Sequence, residues 1–537
     1  MLDSLERTER PHVQSAGSDN PRPMWIAQFW RPETGIFLGV WLVLLIGGRE
    51  RLFRDPGTFW HTVVGERILT TGEFLDHDPF SYTFGGQPWT PYEWLGECAM
   101  ALIHRVDGFD SLLLAATVGI AALFTWAAHR LLRAGLHWSL TVLVIVLLFA
   151  ASTSHLHVRP HLFTIAFLGI TFARLVDFEA GRINLRRLAW LIPLFIVWTN
   201  IHGGMLGGLG TMGLAWLGWC GWRVLGLHTP LKSRRSILDL AVLIVVCGLT
   251  AFVNPYGVEL PRTWYAIMHM PHLPEIIQEH APLNPTRPDG VMVLGFGLVY
   301  LVALLGVMPG KWRVTWLLPL VWLALACMRI RHAPLFAITA TLALADLLPY
   351  TRWAAWLARP GSDLFRFPAA KSSPRWNWRP ALLPFALVGL AFGLQAAQAP
   401  VPVLGHGWAR LDPEIWPVEL LPELRRQAEA KPGAPIFNEY EFGGFLIYYT
   451  PELRVYLDDR CEVYGDQWLH EYVVAENDPG PYVEACQKRY GRFDLALTHT
   501  GSGYDSYFNR SAEWSVLERT PTATLYRRAD RYAEETR

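Results

Sequence analysis

The chain has 537 residues; 51% are hydrophobic, 25 are Trp, and 47 Lys and Arg balance 47 Asp and Glu. A net charge of zero shows none of the basic excess that a nucleic-acid binder carries, so no nucleic-acid partner is expected. A mean hydropathy of +0.19 with so much Trp excludes an ordinary soluble enzyme and points to lipid with aromatic belts at its interfaces.

Residues 1–29 are polar, contain Arg7, Arg10 and Arg22, and lack the apolar core of a signal peptide. They read as a disordered cytoplasmic tail. Residues 30–399 then hold eleven apolar runs with polar ends, at about 33–48, 110–129, 138–153, 161–175, 188–201, 204–222, 236–253, 290–308, 314–328, 333–349 and 380–397. A straight span needs ~20 residues, so 33–48, 161–175 and 314–328 are the weakest of these. A further run at 94–105 is too short to span and reads as an interfacial helix.

Lys and Arg concentrate in alternate loops, for example Arg130 with Arg133, Arg182 with Arg186 and Arg187, and Lys311 with Arg313. The positive-inside rule then puts the N-terminus in the cytoplasm, and an odd span count puts the C-terminal part outside it. The expected setting is a multi-pass protein of the inner (plasma) membrane. Residues 359–379 form a basic, Pro- and Ser-containing cytoplasmic loop.

The extracytoplasmic loop 49–97 is the long polar stretch that follows the first span. Asp55 lies just past the first span, where a partly buried carboxylate can serve as a general base. Asp55 before Pro56 is also a good cap for the helix TFWHTVVGERIL, whose Phe59, Val63 and Leu69 could pack on the bilayer. His61 lies on the same helix. Asp76, His77 and Asp78 form either a turn or an oxygen-ligand site for a divalent cation. Glu93 and Trp94 open the interfacial run; Glu93 could bind a sugar hydroxyl or cap that helix, and Trp60 and Tyr82 could shape the same sugar site.

The outward ends of later spans share cations and His. They read HLHVRPH at 155–161, NIHGG at 200–204 and MRIRHAP at 328–334. Arg offers a planar fork to phosphate and His a donor, so His157, Arg159, His202, Arg329 and Arg331 form a candidate phosphate cradle. The alternatives are interface anchors or, for HxHxRPH, a metal site. Gly203, Gly204, Gly207 and Gly208 permit close backbone approach or tight helix packing.

Residues 400–537 regain charge and turn signals and read as a small α/β domain. Gly443 and Gly444 suggest a tight strand-to-helix turn. Asp458, Asp459 and Arg460 are either a ligand site or an internal ion pair. Cys461 and Cys486 could pair in an oxidising compartment; the other four Cys read as small core residues.

The wording DPGTFWHTVVGERIL, DHDPFSYTFGGQPWTPYEWLGE, HVRPHLFT, NIHGG and FNEYEFGGFLIYY with VYLDDR resembles a group of bacterial glycosyltransferase-like membrane proteins of the GT-C superfamily. That resemblance implies a mainly α, polytopic GT-C-like bundle of about 11 transmembrane helices with a small extracytoplasmic α/β C-terminal domain. It implies a hexosyltransferase-like enzyme that moves a sugar from a polyprenyl-phosphate donor to an acceptor hydroxyl with inversion. Asp55 matches the acid of the superfamily's first extracytoplasmic loop. The adjacent acidic pair of protein mannosyltransferases is absent, since Pro56 follows Asp55. The cofactor stays unassigned, with a divalent cation as one option. The expected partners are a polyprenyl-phosphate-linked sugar, membrane lipid, and a glycan, lipid or protein acceptor. His61, Asp78, Glu93, Trp94, His157, Arg159, His202, Arg329 and Arg331 are expected to bind substrate, with Asp55 catalytic. A transporter or flippase, or an assembly protein for lipid-linked glycans, is the alternative.

Overall fold

The computed structural model describes residues 30–367 and 378–529. The expected tail at 1–29 and residues 368–377 of the basic stretch 359–379 lie outside the described residues. The apolar runs fold as helices: α1 (Pro32–Arg51), α2 (Gly57–Thr71), α3 (Trp94–Arg133), α4 (Trp138–Ser152), α5 (His161–Glu179), α6 (Leu191–Ile201), α7 (Met205–Val224) and α8 (Arg234–Leu249). They continue with α9 (Glu259–Met268), α10 (Pro288–Leu305), α11 (Leu318–Met328), α12 (Ala333–Leu347) and α13 (Arg379–Ala396). Among the described residues, eight helices are long and apolar enough to cross a membrane. The chain is a multi-pass membrane protein.

Two of the weak runs gain length in the structure. The run at 33–48 becomes the 20-residue α1, and that at 161–175 becomes the 19-residue α5. The run at 314–328 remains short. The interfacial run and the next span are joined as α3 but broken where Asp107 (φ −158°, ψ 42°) and Gly108 (φ 59°, ψ −134°) leave helical geometry. Gly108 takes a positive φ that a side chain disfavours. The hub of the bundle is α12, which buries every residue it contains.

At one end of the bundle the ionic groups neutralise one another. Arg130 and Arg182 both bond Asp177 at 2.7 and 2.8 Å, and Arg182, Arg313 and the Trp316 indole converge on the buried Asp346. The other end carries the polar loop and the C-terminal sheet.

That sheet has five strands, β1 (Pro435–Asn438), β2 (Arg454–Val455), β3 (Leu495–His499), β4 (Trp514–Arg519) and β5 (Ala523–Arg528), in the order β2-β1-β3-β5-β4. The first three run parallel; β5 is antiparallel to both β3 and β4. Period-two alternation decides its two faces. Phe437, Tyr526 and Ala496 face one core with Tyr456, Phe508 and Trp514. Ile436, Leu495, Leu497 and Leu525 face another, which is completed by Trp60, Val64 and Ile68 of α2.

The apolar face of α2 therefore covers the sheet, which corrects the expectation that it lies on the bilayer. Phe59 is fully buried against Phe109, Trp416 and Phe445, and Val63 and Leu69 pack beside the sheet. Residues 80–82 add to the β2 edge: Tyr82 N–H donates to Val455 O at 3.0 Å and Val455 N–H to Phe80 O at 3.2 Å. Gly443 and Gly444 lie inside the helix Phe442–Tyr449, not at a turn. A Cβ on Gly444 would stand 2.3 Å from the Pro56 carbonyl, and one on Gly443 2.2 Å from that of Leu457. The small residues thus let this helix touch the backbone beside Asp55. Cys461 and Cys486 are buried free thiols, and Cys486 meets the Tyr456 hydroxyl at 2.9 Å.

Candidate active site

The site is built where four segments meet. The turn after α1 is tied to the segment before α5 by two hydrogen bonds: Val158 N–H to Leu52 O at 2.9 Å, and Thr58 Oγ1–H to Val158 O at 2.9 Å. This registration brings Asp55 to Arg159, with Arg159 Nη1 donating to Asp55 Oδ2 at 2.9 Å. The other Asp55 oxygen accepts the Gly57 N–H at 2.8 Å, so Asp55 also satisfies an orphan donor at the start of α2. A Cβ on Gly57 would stand 2.8 Å from Arg159 Nε and 2.9 Å from Asp55 Oδ1, so glycine there makes room for the pair.

Around this pair lie acids and imidazoles from elements far apart in sequence. Glu93 is buried, with His61 Nε2 at 3.4 Å and His202 Nε2 at 3.5 Å. His61 Nδ1 meets Glu97 at 2.9 Å. His202 Nδ1 accepts the Gly204 N–H at 2.8 Å, which leaves the ring proton on Nε2, aimed at Glu93. Burial pushes the Glu93 carboxyl up to about 8, with Arg159 pulling the other way, so it is mostly protonated at neutral pH. Burial and the Arg159 charge hold His61 well below its ordinary value, and burial with Arg331 and Arg159 does the same to His202. The imidazoles here are neutral.

Glu279, from the loop before α10, pairs with His155 at 3.1 Å and with Arg331 at 3.4 Å. Burial works to raise its carboxyl, but Arg331 and His155 outweigh it and hold it well below the usual range. Arg331 also reaches His280, and Arg329 Nη1 stands 3.5 Å from the same ring. Among the described residues, the buried atoms Arg159 Nε and His157 Nδ1 have no hydrogen-bond partner. Such groups are costly unless something polar meets them.

The structure thus brings together Asp55, His61, Glu93, His157, Arg159, His202 and Arg331, with Arg329 at the edge. Trp94 stands beside them, its indole N–H bonded to Asn200 Oδ1 at 2.8 Å. It does not bring Asp78. That carboxylate is buried against Arg460 at 2.8 Å and accepts from Ser81 Oγ at 2.5 Å and from two backbone N–H groups. Tyr82 is likewise in the C-terminal core, 5.9 Å from the Tyr456 ring. The pair of acids at 458 and 459 is divided. Asp458 bonds Arg460 through both oxygens and takes the Tyr464 hydroxyl, whereas Asp459 turns toward α2 and accepts the Trp60 indole N–H at 2.8 Å.

No sequence pattern marks Glu279, and Asp459 reads there only together with Asp458 and Arg460, as a ligand site or an internal ion pair. Glu279 is one acid in a polar loop without periodicity; its only signal is its neighbour His280 in a loop at the His-rich end. Among the described residues, the one group with metal-ligand spacing is Asp107, Asp110 and His406. There Asp107 binds His406 at 2.8 Å, and Asp110 accepts the Gly407 and Ala409 N–H groups, so the three fasten the linker to the break in α3.

No family model matches the chain, and no curated protein matches it. Among solved structures, the oligosaccharyltransferase of Archaeoglobus fulgidus tethered with an acceptor peptide is 12% identical, over 88% of this chain and 70% of that one, with a TM-score of 0.49. ArnT from Cupriavidus metallidurans bound to undecaprenyl phosphate is 14% identical, over 94% and 97%, with a TM-score of 0.47; its apo state gives 0.42. These likenesses are too distant to bear on what this chain binds.

Proposed function

We propose that the chain is an inverting membrane glycosyltransferase that moves a sugar from a polyprenyl-phosphate donor to an acceptor hydroxyl at the extracytoplasmic face of the inner membrane. The observation that carries this reading is the partly buried Asp55–Arg159 pair, with Arg331 held nearby by Glu279 and the His61 and His202 imidazoles gathered at Glu93. The motif resemblance to GT-C enzymes adds to it.

The chemistry needs an acceptor for one proton and a cradle for one phosphate. In this reading the acceptor oxygen bonds to the anomeric carbon, the bond from that carbon to the phosphate oxygen breaks, and the hydroxyl proton passes to Asp55. The leaving phosphate stays anionic and needs no acid. Arg159, through its unpartnered Nε, Arg331 and His157 bind it. Glu93, kept protonated by burial, adds no negative charge beside it. The loop 49–97 and the sheet domain are proposed to enclose the sugar and acceptor.

The test is transfer by full-length protein in proteoliposomes supplied with a panel of undecaprenyl-phosphate sugars. Turnover of one member that Asp55→Asn abolishes supports the reading. Turnover unchanged in Asp55→Asn removes Asp55 from the role.

A further inference from the structure

The adjacent acids Asp458 and Asp459 have different fates. Asp458 is fully buried and consumed by Arg460, Tyr464 and its own turn. Asp459 is only half-buried. Among the described residues its carboxyl takes a single hydrogen bond, from Trp60. Trp60 lies in the first turn of α2, one turn beyond Asp55, and the Gly444–Pro56 contact fixes the sheet domain against the same turn. Asp459 is therefore held against the turn that carries Asp55 by a domain whose docking is set by backbone contact.

We propose that Asp459 is a second substrate-contacting acid of this site, hydrogen-bonded to a hydroxyl oxygen of the bound sugar or acceptor beside the hydroxyl that Asp55 deprotonates. The proposal rests on the glycosyl-transfer reading. Its chemistry complements that of Asp55. Burial and then the Asp55 charge push the Asp459 carboxyl well above its ordinary value, against the pull of Arg159. That direction suits Asp459 to offer a proton where Asp55, held by Arg159 and the Gly57 N–H, accepts. One oxygen serves Trp60 and the other serves the substrate. No bond forms or breaks at Asp459; the transferred proton goes to Asp55.

The test compares Asp459→Ala with Asp459→Asn in the full-length protein, using the same panel of undecaprenyl-phosphate sugars. Asn keeps an acceptor for Trp60 and presents an N–H donor to the substrate; Ala keeps neither. The expected result, read well below the lowered unfolding temperature that an unpartnered Trp60 indole N–H brings to Asp459→Ala, is a loss in kcat/KM of tenfold or more in Asp459→Ala, as one hydrogen bond of roughly 1.5 kcal/mol requires, and recovery to within about fivefold of wild type in Asp459→Asn. Activity of Asp459→Ala within twofold of wild type overturns the proposal. Asp459→Asn as impaired as Asp459→Ala also overturns it, since that pattern demands an ionising group. A wild-type protein that turns over no member of the panel removes the transfer reading itself, and this proposal with it.

Discussion

Asp55 and Arg159 lie 104 residues apart in the chain and meet at 2.9 Å, the acid from the turn after the first membrane helix and the cation from the turn before α5. The side chains are 12% and 19% exposed, so the pair is shielded but reachable. Burial opposes the Arg159 charge, yet Asp55 and Glu279 hold its guanidinium well above the ordinary value. A cation that stays charged beside a carboxylate at the mouth of a membrane bundle is suited to an anionic headgroup.

Asp55→Asn keeps the cap on Gly57 but removes the base. Transfer should fall by about 10²–10⁴-fold, the usual range for a general base, while the helix α2 stays in place. Steady-state rates and circular dichroism on the same preparation check both halves.

Asp78→Ala should leave the chemistry intact and weaken the fold. It removes one of the two carboxylates that hold Arg460, whose side chain is fully buried and stays paired with Asp458, so the cost is that of a charged hydrogen bond, about 1.5–3 kcal/mol. Burial works to raise the Asp78 carboxyl, but Arg460 and Ser81 outweigh it and hold it below its usual value. Its contribution to stability is present above the ordinary carboxyl range and is lost as pH falls through the lowered value. Thermal unfolding of wild type and Asp78→Ala against pH should converge at the acid end.

Glu93 gives the opposite sign. Its carboxyl is raised to about 8, so the folded state favours the proton. The stability it contributes is whole below its ordinary value of 4.5 and is lost as pH rises toward 8. Ionisation also puts a negative charge beside Arg159 and Arg331. Affinity for undecaprenyl phosphate should weaken several-fold between pH 7 and pH 9 in wild type and stay flat in Glu93→Gln.

Gly444→Val tests the docking of the sheet domain. A Cβ there meets the Pro56 carbonyl at 2.3 Å, and backbone on both sides cannot yield cheaply. The substitution should lower transfer and raise proteolysis at 72–91 while the membrane helices keep their stability, as limited digestion in detergent would show.

Much of this was legible in the sequence because lipid imposes simple rules. Spans must be apolar and helical, and the eleven runs all appear as helices because no other backbone arrangement satisfies itself there. The Asp55 position and the His- and Arg-rich helix ends could be read for the same reason: charge near lipid is costly and so stands out. The role of Asp78 could not, because its partner Arg460 lies in another domain and no local spacing links them. The face of α2 was misread for a related reason. Phe59, Val63 and Leu69 form an apolar stripe that suits a bilayer as well as a sheet, and only the tertiary partner decides.

The most direct measurement is the affinity of the purified full-length protein for undecaprenyl phosphate, and for the neutral alcohol undecaprenol, in wild type and Arg159→Gln at pH 7. The account predicts that the substitution weakens the phosphate by about tenfold or more, as loss of a charged hydrogen bond of ~1.5–3 kcal/mol requires, and leaves the alcohol unaffected. Equal affinity of the two proteins for the phosphate would contradict it.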